Sequence, residues 1–133
     1  MDPKQYLEQY ERKRTQIEIN NMELESARAE LSELHVTLID SDIERRKRKL
    51  ARMLREYINQ CSARIQEAVQ TQHEIIKTIN RVKCDKCKRL LIQKYVNGFT
   101  WEQIAEQFDC SYQYIAGDLK QKAYNLIAEI LSD

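Results

Sequence analysis

Gln113, Ala116, Gly117 and Lys120 stand in the stretch NGFTWEQIAEQFDCSYQYIAGDLKQKA, residues 97–123, at spacings that put them on one side of a helix. Each has a use against a duplex. A glutamine amide pairs bidentately with adenine, an alanine methyl meets a thymine methyl, a lysine reaches a phosphate, and a glycine lets a sugar–phosphate chain come close. Ile115 and Leu119 point the other way, toward a core. Thr100, Ser111, Tyr112 and Gln121 complete the candidate DNA-binding set.

A second chemical signal is the run ERRKRKLARMLR, residues 44–55, whose cations crowd the start of a helix, where the helix dipole disfavours them. Arg45, Arg46 and Arg48 are candidate phosphate contacts, together with Lys94 and Lys122 near the first stretch. The competing reading is a solvated face that answers Glu23, Glu25, Glu30 and Glu33 of the preceding helix.

Cys84 and Cys87 have half the spacing of a zinc site, but no second pair follows, and Cys61, Cys110, His35 and His73 are isolated. No metal and no cofactor is expected. There is no glycine-rich phosphate loop, no nucleophile with an evident histidine partner and no paired acids in a recognisable pocket, so the expectation is a protein that is not an enzyme.

The elements that must position these residues are helices. Apolar residues recur at Tyr10, Ile17, Leu24, Leu31 and Leu38, with companions at Tyr6, Lys13, Asn20, Ala27 and Leu34, which marks one helical seam. The stretch IDSDIE interrupts it, and Ser41 with Glu44 has capping-box spacing. A second seam follows at Ala51, Ile58, Ile65, Gln72 and Ile79, with Leu54, Cys61, Ala68, Ile75 and Val82. Two long helices so closely joined are expected to fold back antiparallel, with Leu31 and Leu34 near Leu54–Ile58. Gln72 interrupts its apolar seam in the manner of a register-fixing residue.

Beyond KCDKC, Asp85 is expected to cap a helix carrying Leu90, Leu91, Tyr95 and Val96, ended by Gly98 in a left-handed conformation. Thr100 and Gln103 have the spacing of a capping box for a short helix with Trp101, Ile104, Ala105 and Phe108 on one face. Trp101 and the tyrosines are read as core and rim. Ser111 then caps a last helix with an inward stripe of Ile115, Leu119, Ala123, Leu126 and Ile130. The expected fold class is all-α: a long antiparallel helical hairpin of coiled-coil type over 1–82, serving oligomerisation or partner binding. A three-helix helix-turn-helix domain over 84–133 follows it and binds DNA.

Composition agrees in kind. Of 133 residues only two are glycine and one is proline, while 32% are charged, the profile of a helical protein with much exposed surface. No apolar run spans a bilayer and the N-terminus lacks a signal-peptide core, so a soluble cytoplasmic chain with free thiols and no membrane partner is expected. A net charge of +1 offers no wholesale attraction to nucleic acid, so the local distribution of charge decides.

The segment LLIQKYVNGFTWEQIAEQF with its serine-capped successor resembles sigma-factor region 4, and in particular the phage-encoded ArpU/RinA-type transcriptional regulators, over about residues 84–127. That resemblance implies a DNA-binding regulator of phage genes acting in a bacterial host cell. The expected partners are double-stranded DNA, host RNA polymerase or another host protein, and a second copy in a homo-dimer. The chain departs from the pattern at Tyr112, Gln113 and Tyr114, where relatives carry arginines. It also departs at Asp109, which replaces a common glycine, and in the four-residue step from Ile115 to Leu119.

Two other functions compete. A protein-interaction module that inhibits or recruits a host factor would use Tyr112 and Tyr114 or the hairpin. A small terminase subunit also joins such a DNA reader to helical oligomerisation, although there the reader is usually N-terminal.

Overall fold

Asp2 starts the first helix: its carboxylate accepts the Gln5 N–H at 2.7 Å, and Pro3 takes the first helical position, where a missing N–H costs nothing. A computed structural model describes residues 1–34 and 42–133. Its elements are α1 (Pro3–Glu33), α2 (Asp42–Asn80), α3 (Asp85–Leu91), α4 (Trp101–Gln107) and α5 (Lys120–Leu131). π-helical segments, Ile92–Val96 and Tyr114–Leu119, continue α3 and lead into α5. No strand occurs among the described residues, and none of their helices is long and apolar enough to cross a membrane. Residues 39–41 of the expected break at IDSDIE, the Ser41 cap among them, lie outside the described residues with His35 and the seam residue Leu38, while Asp42–Glu44 open α2.

The chain packs as two units, residues 1–13 with 70–133, and residues 14–69. This division differs from the expected boundary between 82 and 84. The physical reason is a shared core: Leu7, Ile75, Ile79 and Val82 are buried in one cluster with Leu90, Leu91, Ile104, Ile115, Ala123 and Ile127. A segment of roughly 50 residues buries too little apolar surface to stand easily alone, and the ends of α1 and α2 supply what it lacks.

In the first unit the Tyr6 and Thr78 hydroxyls lie 2.8 Å apart, and the Gln72 amide donates to the Tyr10 carbonyl at 3.2 Å. Position numbers fall on α2 as they rise on α1, so the two helices run antiparallel there. In the second unit Glu23 accepts from Tyr57 at 2.7 Å and from Cys61 at 3.8 Å and pairs with Arg64 at 4.0 Å. Burial follows the expected seams at Leu24, Ala27, Ala51, Leu54, Cys61 and Ala68, while Asn20 is a buried polar member of the first. Leu54 shares a depression with Ala27 and Glu30, and Tyr57 reaches Glu23. Leu54 therefore lies beside the turn of α1 that leads into Leu31 and Leu34.

Candidate nucleic-acid interface

Three local signals build the candidate face. The first is the end of the α3 helix, where Gly98 takes φ 78°, the left-handed conformation that glycine adopts without a Cβ clash, and Phe99 N–H closes the turn on the Gln93 carbonyl at 3.0 Å. The second is the α4 capping box: Thr100 Oγ1 accepts the Gln103 N–H at 3.2 Å while the Gln103 side chain accepts the Thr100 N–H at 2.9 Å.

The third is the turn after α4. Asp109 holds φ 53°, and the Cys110 and Asp109 N–H groups donate to the carbonyls of Ala105 and Glu106 at 3.0 and 3.2 Å. This is a Schellman motif with aspartate at the position where glycine is commonest. Cys110 and Ala105 both pack on the same core, the apolar contact that usually accompanies the motif.

Ser111 Oγ then accepts the Tyr114 N–H at 3.1 Å and caps the closing helix as expected. Within it Ile115, Leu119, Ala123 and Ile127 are buried. The stripe thus differs from the expected one, since Ile127 is buried while Leu126 and Ile130 are only partly so. A strict four-residue step drifts around an α-helix of 3.6 residues per turn. The π-helical segment, with its wider turn, absorbs part of that drift and keeps both Ile115 and Leu119 inside.

Opposite that stripe Tyr112, Gln113, Gly117 and Gln121 are exposed, with Ala116 and Lys120 half-buried beside them. Thr100 and Ser111 are exposed at the two helix starts. A Cβ built on Gly117 meets nothing within 4 Å, so packing inside the chain does not require glycine there. Asp118 is exposed in the same turn and sets a negative charge at the edge of the face.

Trp101, half-buried, brings two candidates together: the Lys94 ammonium lies 4.9 Å and the Lys120 ammonium 5.8 Å from its ring centre. Such stacking holds flexible cations in place through the ring quadrupole. Lys86 over Tyr114 at 4.9 Å and Arg89 over Phe108 at 4.6 Å extend the basic edge. Neither was expected from the sequence; the only signal was the string of cations in DKCKR, which spacing alone does not attach to the later helix. Lys122 is exposed, and its charge acts on the Cys84 and Cys87 thiols.

Cys84, in place of the expected Asp85, caps α3: its Sγ accepts the Cys87 N–H at 3.3 Å. Hydrogen bonds from Cys87 hold the Cys84 thiol below its ordinary pKa, while burial, followed by the bond to Cys84, pushes Cys87 up to about 12. Among the described residues no three His, Cys, Asp or Glu side chains gather as a metal site would need. Behind the face Tyr95 and Tyr124 join through their hydroxyls, and burial raises both above the usual phenol range.

The basic run belongs to the other unit. Arg45 pairs with Asp42 at 3.8 Å and Lys47 with Glu44 at 3.6 Å, both within α2, and Arg46 is exposed while Arg48 is half-buried. The Glu23 carboxylate, expected to answer this run, instead meets Tyr57, Cys61 and Arg64 about two turns further on. Comparison with family models, with curated proteins and with solved structures finds no match.

Proposed function

We propose that the chain is a phage DNA-binding transcriptional regulator of the sigma region 4-like, ArpU/RinA type, in which α4, the Asp109 turn and the Ser111-capped helix act as a helix-turn-helix. The observation that carries this reading is the two-sided Ser111-capped helix: Ile115 and Leu119 are buried while Gln113, Gly117 and Gln121 stand exposed on the other side, with Lys120 half-buried at the edge. Such a helix can enter a major groove with Gln113 on a base edge and Lys94 and Lys120 on phosphates. Residues 14–69 serve association with a second copy or with a host protein such as RNA polymerase. The reading is one of binding and regulation, without catalysis.

The exposed Tyr112 and the exposed Asp118 favour a second reading, a face that binds protein instead of nucleic acid. A salt-titrated duplex-binding assay separates the two, since phosphate contacts impose a steep loss of affinity with salt. Gln113→Ala is expected to cost about 1–3 kcal/mol on the cognate site and little elsewhere. Lys120→Ala should weaken all duplexes alike and lower the salt slope by about one. If folded protein binds no duplex, or binds it with both variants indistinguishable from the parent, the protein-binding reading replaces the first.

A further inference from the structure

Among the described residues between 14 and 69 five large apolar side chains stand at the surface: Ile19 at 51% exposure, Met22 at 68%, Ile43 at 65%, Leu50 at 44% and Met53 at 57%. Their spacing gathers them on one side of each helix. Met22 follows Ile19 by three residues, Leu50 lies seven from both Ile43 and Tyr57, and Met53 stands four before Tyr57. Met22 and Tyr57 line a shared depression of about 320 Å³ with Ala27 and Leu54 at its floor. Together the five side chains expose roughly 500 Å² of apolar surface, at the upper end of what a monomer usually shows.

We propose that this face is the contact between two copies of the chain, packed as a four-helix bundle about a two-fold axis that runs along the helices. A face of this size, doubled by symmetry, removes about 1,000 Å² from water from the apolar side chains alone, enough for a specific dimer once the rim is added. The two-fold sets each apolar pair in a common layer with its own counterpart, Ile19 and Met22 in one, Leu50 and Met53 in another.

Charge selects both the occupant and the orientation. Residues 14–33 of α1 carry five glutamates against two arginines, whereas residues 45–55 of α2 carry seven cations and no acid. An axis along the helices lays α1 of one chain on α2 of the other and sets Glu30 and Glu33 beside the exposed Lys49 of the second copy, which stands four residues before Met53 on the same side of α2. An axis across the helices would lay α1 on α1, acid on acid, and α2 on α2. Opposite potentials on the two halves of one face make it self-complementary, as an isologous contact must be.

This inference rests on the association role given to residues 14–69 above and not on the DNA contacts, so a monomer that still binds duplex overturns it alone. The test is sedimentation equilibrium of the full chain with circular dichroism on the same samples. The parent is expected to be a dimer at tens of micromolar, and Met22→Glu and Met53→Glu should each raise the dissociation constant at least 100-fold with helical signal unchanged. Glu30→Lys with Glu33→Lys should weaken the dimer tenfold or more, an effect that added salt reduces. A parent that stays monomeric at about 100 micromolar overturns the proposal. So does a dimer indifferent to both methionine substitutions, and so does loss of helix in both variants, because those side chains would then belong to the fold of the single chain.

Discussion

The hydroxyls of Tyr6 and Thr78 lie 2.8 Å apart although 72 positions separate them in the chain. With Leu7 buried one residue on, this contact ties the start of α1 to the same core that Ile104, Ile115 and Ile127 occupy.

The candidate interface is therefore expected to depend on residues far from it in sequence. A fragment of residues 84–133 should show little cooperative thermal unfolding, and removal of residues 1–13 from the whole chain should lower its melting temperature by several degrees or more. Leu7→Ala, which empties a fully buried site, should cost about 2–5 kcal/mol. A short fragment that melts cooperatively like the parent would mean that the shared core contributes little.

At the start of α3 the sulfur of Cys84 does the work usually given to a hydroxyl or carboxylate oxygen. Cys84→Ala should cost about 1 kcal/mol of stability by freeing the Cys87 N–H, and Cys84→Ser should restore it or do slightly better. Denaturant titration of the two variants against the parent measures the difference. Equal loss in both would show that the cap is immaterial and that sulfur volume matters instead.

Alkali should destabilise the first unit. Burial raises the Cys87 thiol from near 9 to about 12, and raises Tyr95 and Tyr124 also, so in the unfolded chain these groups lose their protons first. The folded state then holds more protons than the unfolded one, and stability falls as pH rises from about 9 towards 12. Cys84 adds the opposite, smaller tendency, since a lowered thiol pKa gives stability that is present above its unfolded value and lost as pH falls through the folded one. Melting temperatures between pH 8 and 11 should decline less steeply in Cys87→Ala and Tyr95→Phe than in the parent.

The caps and turns were legible because their chemistry is local. Thr100 with Gln103, Ser111, Gly98 and the aspartate at position 109 each announce a conformation within four residues of themselves, and each adopts it. Both helical seams could be read in the same way from period alone. What could not be read depends on tertiary packing. The sharing of one core by Leu7, Ile79 and Ile115 is invisible to periodicity, and the burial of Ile127 in place of Leu126 follows from a wide turn that no local propensity marks. The stacking of Lys94 and Lys120 on one tryptophan likewise arises only when α3, α4 and the closing helix meet. The capping role of Cys84 is masked in the sequence by the aspartate beside it, the stronger capping residue in general.

Gly117 offers the sharpest separation of stability from binding. It sits inside a helical run, where glycine is about 0.5–1 kcal/mol less favourable than alanine. Its built Cβ meets open space, so Gly117→Ala should raise the stability of the free protein by about that amount. If a sugar–phosphate chain approaches this turn closely, the same methyl intrudes on the contact, and duplex affinity should fall tenfold or more in the more stable protein. Thermal melting and duplex binding measured on one preparation read the two effects separately. A variant that gains stability and keeps its full affinity would place the nucleic acid away from Gly117, and with it would go the assignment of Gln113 and Lys120 as its neighbours on DNA.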